Sequence, residues 1–357
     1  MSGVWGKNIK YSIFGESHGI GIGIIIDGLP TGIKLDFDMI ETEMTRRRPG
    51  RTNIATSRTE ADQFQILSGI FNGYTTTSPL CVLISNTNQH SDDYEQAKEL
   101  LRPGHADYTA YVKSKGYNDY RGGGHFSGRL TAPIVFAGAI AKQLLAAHNI
   151  KIASHIYKIG TKKDIAFKNV NLDDKLIDYL LKSDFPTIEA SARKDMIDII
   201  ATAKSSGDSI GGVIEATAIN LPAGIGSPFF DSLESSISHL VFSIPGVKGI
   251  EFGEGFDITE MKGSEANDQY FVSNGNITAY SNHNGGILGG ITSGMPLIFR
   301  AAFKPTPSIA LQQKTVNIAT MKDTTINLEG RHDPCIVPRA IPVIEAITAM
   351  GILEHIL

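Results

Sequence analysis

Apolar positions along this chain fall into short alternating runs broken by glycine turns, and into a few longer blocks. Each pattern predicts a different element. Residues 10–14 predict a short strand, and residues 20–26, where Gly alternates with Ile, a strand pressed against another backbone or a flat ligand. Asp27-Gly28-Leu29-Pro30 is a turn. Asp36 then caps a helix whose Phe37, Ile40 and Met44 share one face. Residues 66–84 read as a hairpin, 92–101 as a short helix and 133–147 as an apolar helix. The Lys- and Asp-rich stretch 151–200 carries helical patterns over 172–181 and 190–203 and reads as a peripheral insertion. A β segment at 210–219, a helix from Asp231 and an apolar helix over 341–357 complete the chain.

The second part echoes the first. LPTGI at 29–33 returns as LPAGI at 221–225, each after a Gly-rich β segment and before an Asp-marked helix. LSGIFNG…SPL at 67–80 has a looser counterpart in LGGITSGMPL at 288–297. Each half then reaches a polar loop with His and Asp and ends in an apolar helix. The shared order predicts one domain over 1–357 built of two similar βα halves, about 1–150 and 205–357, with the insertion at about 151–204.

Between these elements, residues 102–129 carry almost no apolar periodicity. They hold two His, two Asp, four Tyr, three Arg and the triplet Gly122-Gly123-Gly124. A polar stretch of this kind inside a globular chain reads as a working loop, and the glycines let backbone approach a ligand closely. Gly15-Glu16-Ser17-His18-Gly19 places an acid, a hydroxyl and an imidazole at a turn. Arg46-Arg47-Arg48 suits the C-terminal end of a helix dipole, and with Arg51 and Arg58 it builds an anion clamp.

The chain has 357 residues, 41% of them apolar, and a net charge of −4, which points the arginines at a small anion rather than at nucleic acid. Two cysteines without metal-type spacing give neither a disulfide framework nor a zinc site, and no metal is expected. The first residues lack an apolar signal core, and Lys142 interrupts the longest apolar block, so a cytoplasmic protein with no membrane partner is expected. Dinucleotide and P-loop fingerprints and H-E-x-x-H are all missing. What remains is histidines on glycine-rich loops, arginines and an Asp beside an Arg-His pair. That set suits elimination or transfer of phosphate from a small anionic metabolite.

GESHG at 15–19, RRRPG at 46–50, RPGHADYT at 102–109, SNHNGGILGGI at 281–291, FKPTPSI at 303–309 and GRHDPC at 330–335 together resemble the chorismate synthase family, in order and over essentially the whole chain. The resemblance implies an α+β fold, a β-α-β sandwich with helices packed between antiparallel sheets, and a homotetramer. It implies a lyase that converts 5-enolpyruvylshikimate 3-phosphate to chorismate and phosphate by anti-1,4-elimination, the last common step of aromatic amino-acid biosynthesis. Reduced FMN (FMNH2) is the implied cofactor, kept reduced by an external flavin reductase or NADPH.

By the same resemblance His18 and His105 are the catalytic histidines, Asp333 assists proton removal, and Ser17 lies beside substrate and flavin. Arg47, Arg48, Arg51, Arg129 and Arg339 are implied to hold the substrate's phosphate and carboxylates. Flavin contacts are implied at His125, Phe126, Ser127, Pro245, Gly246, Gly289, Lys304, Pro305, Thr306, Pro307, Ser308 and Arg331. Two departures stand out. His125-Phe126-Ser127-Gly128-Arg129 replaces the usual Arg-Ser-Ser-Ala-Arg, so a fixed cation becomes a titratable one. Asn53 stands where many bacterial members carry Arg, with Arg51 as its substitute. Two other readings stay open: a flavin-storage or sensory protein whose histidines only line the pocket, and a phosphate-binding module without cofactor.

Overall fold

The computed structural model describes residues 3–49, 61–87, 98–328 and 333–357. They divide into two compact units, each drawn from three stretches of chain. The first is Met1–Ala137, Ile199–Ile210 and Pro305–Ile336; the second is Gly138–Asp198, Gly211–Lys304 and Val337–Leu357.

The first unit holds an antiparallel sheet of β1 (Val4–Trp5), β2 (Lys10–Gly15), β3 (Gly21–Asp27), β4 (Phe64–Ser68) and β5 (Leu80–Ser85), in the order β1-β2-β3-β5-β4. Ile22, Ile24 and Ile26 of β3 are buried. The glycines between them make room for neighbours: a Cβ on Gly23 would meet the Phe14 ring at 2.3 Å and the Val82 carbonyl at 2.2 Å. β4 and β5 pair as the outer strands of the expected hairpin. Helix α1 (Phe37–Arg47) starts as its cap dictates, Asp36 accepting a hydrogen bond from the Met39 N–H at 3.0 Å. The helix expected over 92–101 falls mostly on 88–97, outside the described residues; Leu100 instead bridges to Asn317.

The polar stretch 102–129 is not loop throughout, because it contains helix α2 (Asp107–Ser114). Only Ala110 of that helix is buried, which is why no apolar period marks it. Helix α3 (Thr131–Ala146) follows. The segment Gly128–Ala146 is apolar and long enough to span a membrane by composition alone. It is 78% buried, the signature of a core helix.

The second unit holds β6 (Lys151–Ile159), β7 (Lys162–Lys163), β8 (Gly212–Ile219), β9 (Val247–Phe252) and β10 (Leu297–Phe303), in the order β9-β10-β8-β6-β7. Strand for strand this matches β4-β5-β3-β2-β1, with every pair antiparallel. The LPTGI and LPAGI turns also match in detail. Thr75 Oγ1 accepts from the Ile33 N–H at 2.9 Å and donates to the Pro30 carbonyl at 2.7 Å. Thr292 Oγ1 does the same with Ile225 at 2.9 Å and Pro222 at 2.7 Å.

This correspondence corrects the expected boundary of the insertion. Residues 151–159 are not peripheral: β6 pairs with β8 along its length and takes the place that β2 has in the first sheet. The added segment starts after it and carries β7, α4 (Asp174–Lys182) and α5 (Ala190–Ser205). Both faces of β6 are covered, so its sequence does not alternate. Ala153 packs in a cluster with Phe167, Ile177, Leu180, Ile219 and Ile298. On the other face Ser154 donates to Glu345 at 3.1 Å, and Lys142 pairs with the same carboxylate at 2.7 Å. Helix α6 (Leu233–Ser243) is capped by Ser232 rather than Asp231, and α7 (Val337–Ile356) begins one turn before the expected 341, with Pro338 in its first turn.

The Ala153 face of this sheet also carries a cross-strand row of charge, His155, Glu215, Arg300 and Glu251. His155, fully buried, lies 3.0 Å from both Asp164 and Glu215, one carboxylate at each ring nitrogen. A neutral imidazole has only one N–H, so this geometry calls for the imidazolium. Burial alone would push its pKa down; the two carboxylates outweigh burial and leave it above the usual 6.5. Because the folded pKa is the raised one, the stabilisation is complete below about pH 6.5 and is lost as pH rises through the folded value. Chemical unfolding of wild type and His155→Gln should therefore differ most below about pH 6.5, with the gap closing at alkaline pH. A gap independent of pH would show a neutral His155.

Candidate active site

β2 ends at Gly15 (φ +92°) and the chain turns through Glu16-Ser17-His18-Gly19 before β3. Two neighbours of the first unit hold this turn. Asn86, just past β5, donates through Nδ2 to the carbonyls of Glu16 and Gly19, both at 2.9 Å. The glycine triplet docks from the other side: the Ser17 N–H donates to the Gly124 carbonyl at 3.2 Å, and His125 Nδ1 donates to the Gly15 carbonyl at 2.8 Å. Gly122, Gly123 and Gly124 all have positive φ (+58°, +90° and +53°), a backbone that side chains resist. His18 lies against this backbone so closely that a Cβ on Gly122 would fall 1.9 Å from its Cε1. Ser17 Oγ, nearly buried, is 3.2 Å from His18 Nδ1.

Beside His18, Asp119 is gripped side-on by Arg121, with Nε and Nη2 both at 2.8 Å. That hydrogen bonding holds the Asp119 carboxyl below the usual range, and the His18 charge acts in the same sense. His105 repeats the arrangement. Its Nε2 is 2.8 Å from Ser308 Oγ, and Asp107 is gripped by Arg102 at 2.8 and 2.7 Å and by the Arg102 N–H at 3.0 Å. Burial pushes the Asp107 carboxyl up, but Arg102 outweighs burial and keeps it low, with His105 adding to the effect. Each imidazole thus has a hydroxyl within hydrogen-bond reach and an Arg-clamped carboxylate nearby.

The arginines divide. Arg47 is buried and binds Asp62 Oδ2 through Nε at 3.1 Å and Nη2 at 2.5 Å. Arg129 binds the other Asp62 oxygen through Nη1, Asn86 Oδ1 through Nε at 3.1 Å and the Ser85 carbonyl at 3.4 Å. Burial would raise the Asp62 pKa; the Arg47 and Arg129 charges outweigh it and lower it. Arg48 reaches Glu41 at 2.6 Å on the outer side of α1. Asp333 is buried in the first unit. Arg51 and Arg331 lie outside the described residues.

Of the expected residues, Ser17, His18, Arg47, Arg48, His105, His125, Phe126, Ser127, Arg129, Pro305, Thr306, Pro307, Ser308 and Asp333 belong to the first unit. Pro245, Gly246, Gly289, Lys304 and Arg339 belong to the second. There the Lys304 N–H donates to the Gly246 carbonyl at 2.9 Å, and burial, with Lys248 beside it, lowers the Lys304 pKa. Among the described residues no cluster of His, Cys, Asp or Glu suits a metal ion. A cavity of about 200 Å³ opens near Arg102, Asp107, Tyr111 and Tyr120, but neither His18 nor His105 lines it.

Asp62, Asn86 and the Asp119–Arg121 pair were not among the sequence expectations. Asp119 and Arg121 sit two positions apart in the polar stretch and were legible as a pair. Asp62 and Asn86 have partners far along the chain and carry no local signal.

The family model for chorismate synthase matches residues 9–357. A chorismate synthase of Pyrococcus abyssi is 46% identical over 353 residues, covering 99% of this chain and 97% of that protein. One of Dehalococcoides mccartyi is 45% identical, covering 99% and 96%. A solved chorismate synthase structure superposes with a TM-score of 0.73 at 28% identity, covering 99% of this chain and 93% of that one.

The close approach of His18 to Gly122 generates a paired test. Gly122→Ala should displace the His18 ring, read as a changed ring chemical shift. Gly123→Ala, whose Cβ meets nothing nearer than 3.9 Å, should cost backbone strain of about 1–2 kcal/mol in thermal unfolding yet leave the ring signal in place. Equal ring signals in both variants would contradict the contact.

Proposed function

The chain belongs to the chorismate synthase family, whose reaction forms chorismate in the shikimate pathway, and from that premise we propose the details of its chemistry. The substrate is 5-enolpyruvylshikimate 3-phosphate, and the reaction is an anti-1,4-elimination: the C–O bond to phosphate breaks, a proton leaves the ring, and a second ring double bond forms. No net oxidation occurs. The observation that carries this reading is the pair of imidazoles, His18 and His105, each beside a hydroxyl and an Arg-clamped carboxylate. A flavin-storage protein has no use for two such acids.

One of the two imidazoles delivers its proton to an oxygen of the departing phosphate, and the other would hold a proton for the reduced flavin. Ser17 and Ser308 orient the rings, since each hydroxyl is within 3.2 Å of a ring nitrogen. Asp333, a buried carboxylate, assists removal of the ring proton. Arg48, Arg51, Arg129 and Arg339 compensate the substrate's phosphate and carboxylates, as cations do at an anion site.

Reduced FMN suits the residues present. Lys304 beside Lys248 is a like-charge pair that the anionic phosphate of a flavin would relieve, and Gly289 is open, with nothing within 4 Å of where its Cβ would stand. Lys304, Pro305, Thr306, Pro307 and Ser308, with Pro245, Gly246, Gly289, His125, Phe126, Ser127 and Arg331, are the residues assigned to hold it. When bound, the reduced flavin supplies electron density that eases the breaking of the C–O bond. His125 in place of an arginine gives up the planar, bidentate guanidinium at one flavin contact, so His125→Arg should tighten FMN binding, read by fluorescence titration. A homotetramer in the cytoplasm, with flavin reduced by an external reductase or NADPH, completes the proposal.

Anaerobic incubation of substrate with dithionite-reduced FMN and wild-type protein should release phosphate. His18→Ala and His105→Ala should each slow release by roughly 10²-fold or more, the scale of lost general acid catalysis. Tight FMN binding without phosphate release by wild type would leave the flavin-storage reading in its place.

A further inference from the structure

Asp62 has no part in the chemistry above, yet it is among the most constrained residues of the first unit. Its side chain is fully buried, and its backbone is left-handed (φ +45°), a conformation that a non-glycine residue keeps only when its surroundings impose it. The imposing contacts are two arginines, one on each carboxylate oxygen. Arg47 comes from the last turn of α1, and Arg129 follows the glycine triplet.

The two arginines are not equivalent. Arg47 spends Nε and Nη2 on Asp62 and reaches Thr131 Oγ1 through Nη1 at 3.4 Å, and only 2% of the residue is exposed. Arg129 has its guanidinium plane fixed by three acceptors on three sides: Asp62, Asn86 and the Ser85 carbonyl. Asn86 is the same residue that ties down the turn bearing His18, through the Glu16 and Gly19 carbonyls. The orientation of Arg129 and the position of His18 are therefore set by one connected group of contacts.

We propose that Asp62 is a positioning residue: backed by Arg47, it orients Arg129 towards an anionic group of the substrate, and of the two arginines only Arg129 makes that contact. This rests on the assignment of Arg129 to the substrate under the proposed function. It deepens that reading by making Arg47 an anchor of the site rather than a ligand. A guanidinium held in one plane meets a phosphate or carboxylate without first losing side-chain freedom, so its worth as an anion ligand depends on what holds it.

Two variants test the inference. Asp62→Asn keeps the shape and a residue type that accepts left-handed backbone, but removes the charge. Asp62→Asn combined with Arg47→Met also removes the buried cation that would otherwise lose its partner; taking away both members of a buried pair is far milder than taking away one. In both variants the KM for substrate should rise roughly tenfold, the scale of one charge-assisted contact, while kcat changes by less than about threefold. The melting temperature, lowered in the single variant, should recover in the double one.

Recovery of KM together with melting temperature in the double variant would overturn the proposal, because Asp62 would then serve only to neutralise Arg47. Binding of inorganic phosphate, followed by calorimetry, separates this outcome from failure of the functional reading. If wild type does not turn over the substrate, the functional reading falls. Roughly tenfold weaker phosphate binding in both variants would still support the positioning role. Unchanged phosphate binding would overturn it.

Discussion

The left-handed run at Gly122-Gly123-Gly124 is the constraint on which the site depends. Only a backbone without side chains can fold back at three successive residues and offer the Gly124 carbonyl to Ser17 while leaving room for the His18 ring. The turn between β2 and β3 is then held from two sides, by the triplet and by Asn86. Polar and charged groups stand on both sides of this docking: Ser17 and His18 on the turn, Asp119 and Arg121 before the triplet, His125 within the loop and Arg129 after it.

The two units use one plan for two purposes. The strand orders correspond, and so do the threonine-locked turns at Thr75 and Thr292. In the first unit the Asp107–Arg102 and Asp119–Arg121 pairs lie outside the sheet and keep some exposure. In the second they lie in a row across the sheet, with His155 enclosed between two carboxylates and Arg300 between the buried Glu215 and the half-buried Glu251. Enclosure suits a structural network, because every buried charge there has a partner. Chemistry needs groups whose partners can change.

Elements with one buried face were legible from sequence. β3 and α1 declare themselves through their period, and Asp36 marks the start of α1. β6 was missed because both its faces are covered and its interior carries Ser154 and His155. α2 was missed for the opposite reason, since almost none of it is buried. The same logic divides the site. His18, His105 and the glycine triplet stand in polar, glycine-rich segments that announce a working loop. Asp62 does not, because its meaning comes from Arg47 and Arg129, 15 and 67 residues away. The repeat was visible in five residues at each turn, whereas its true extent emerged only from strand order.

The most direct test of the account is a crystal structure with 5-enolpyruvylshikimate 3-phosphate and FMN bound. The account predicts the substrate's phosphate within hydrogen-bonding distance of His18 or His105, with Arg129 on one of its anionic groups. Substrate bound out of reach of both histidines would contradict it.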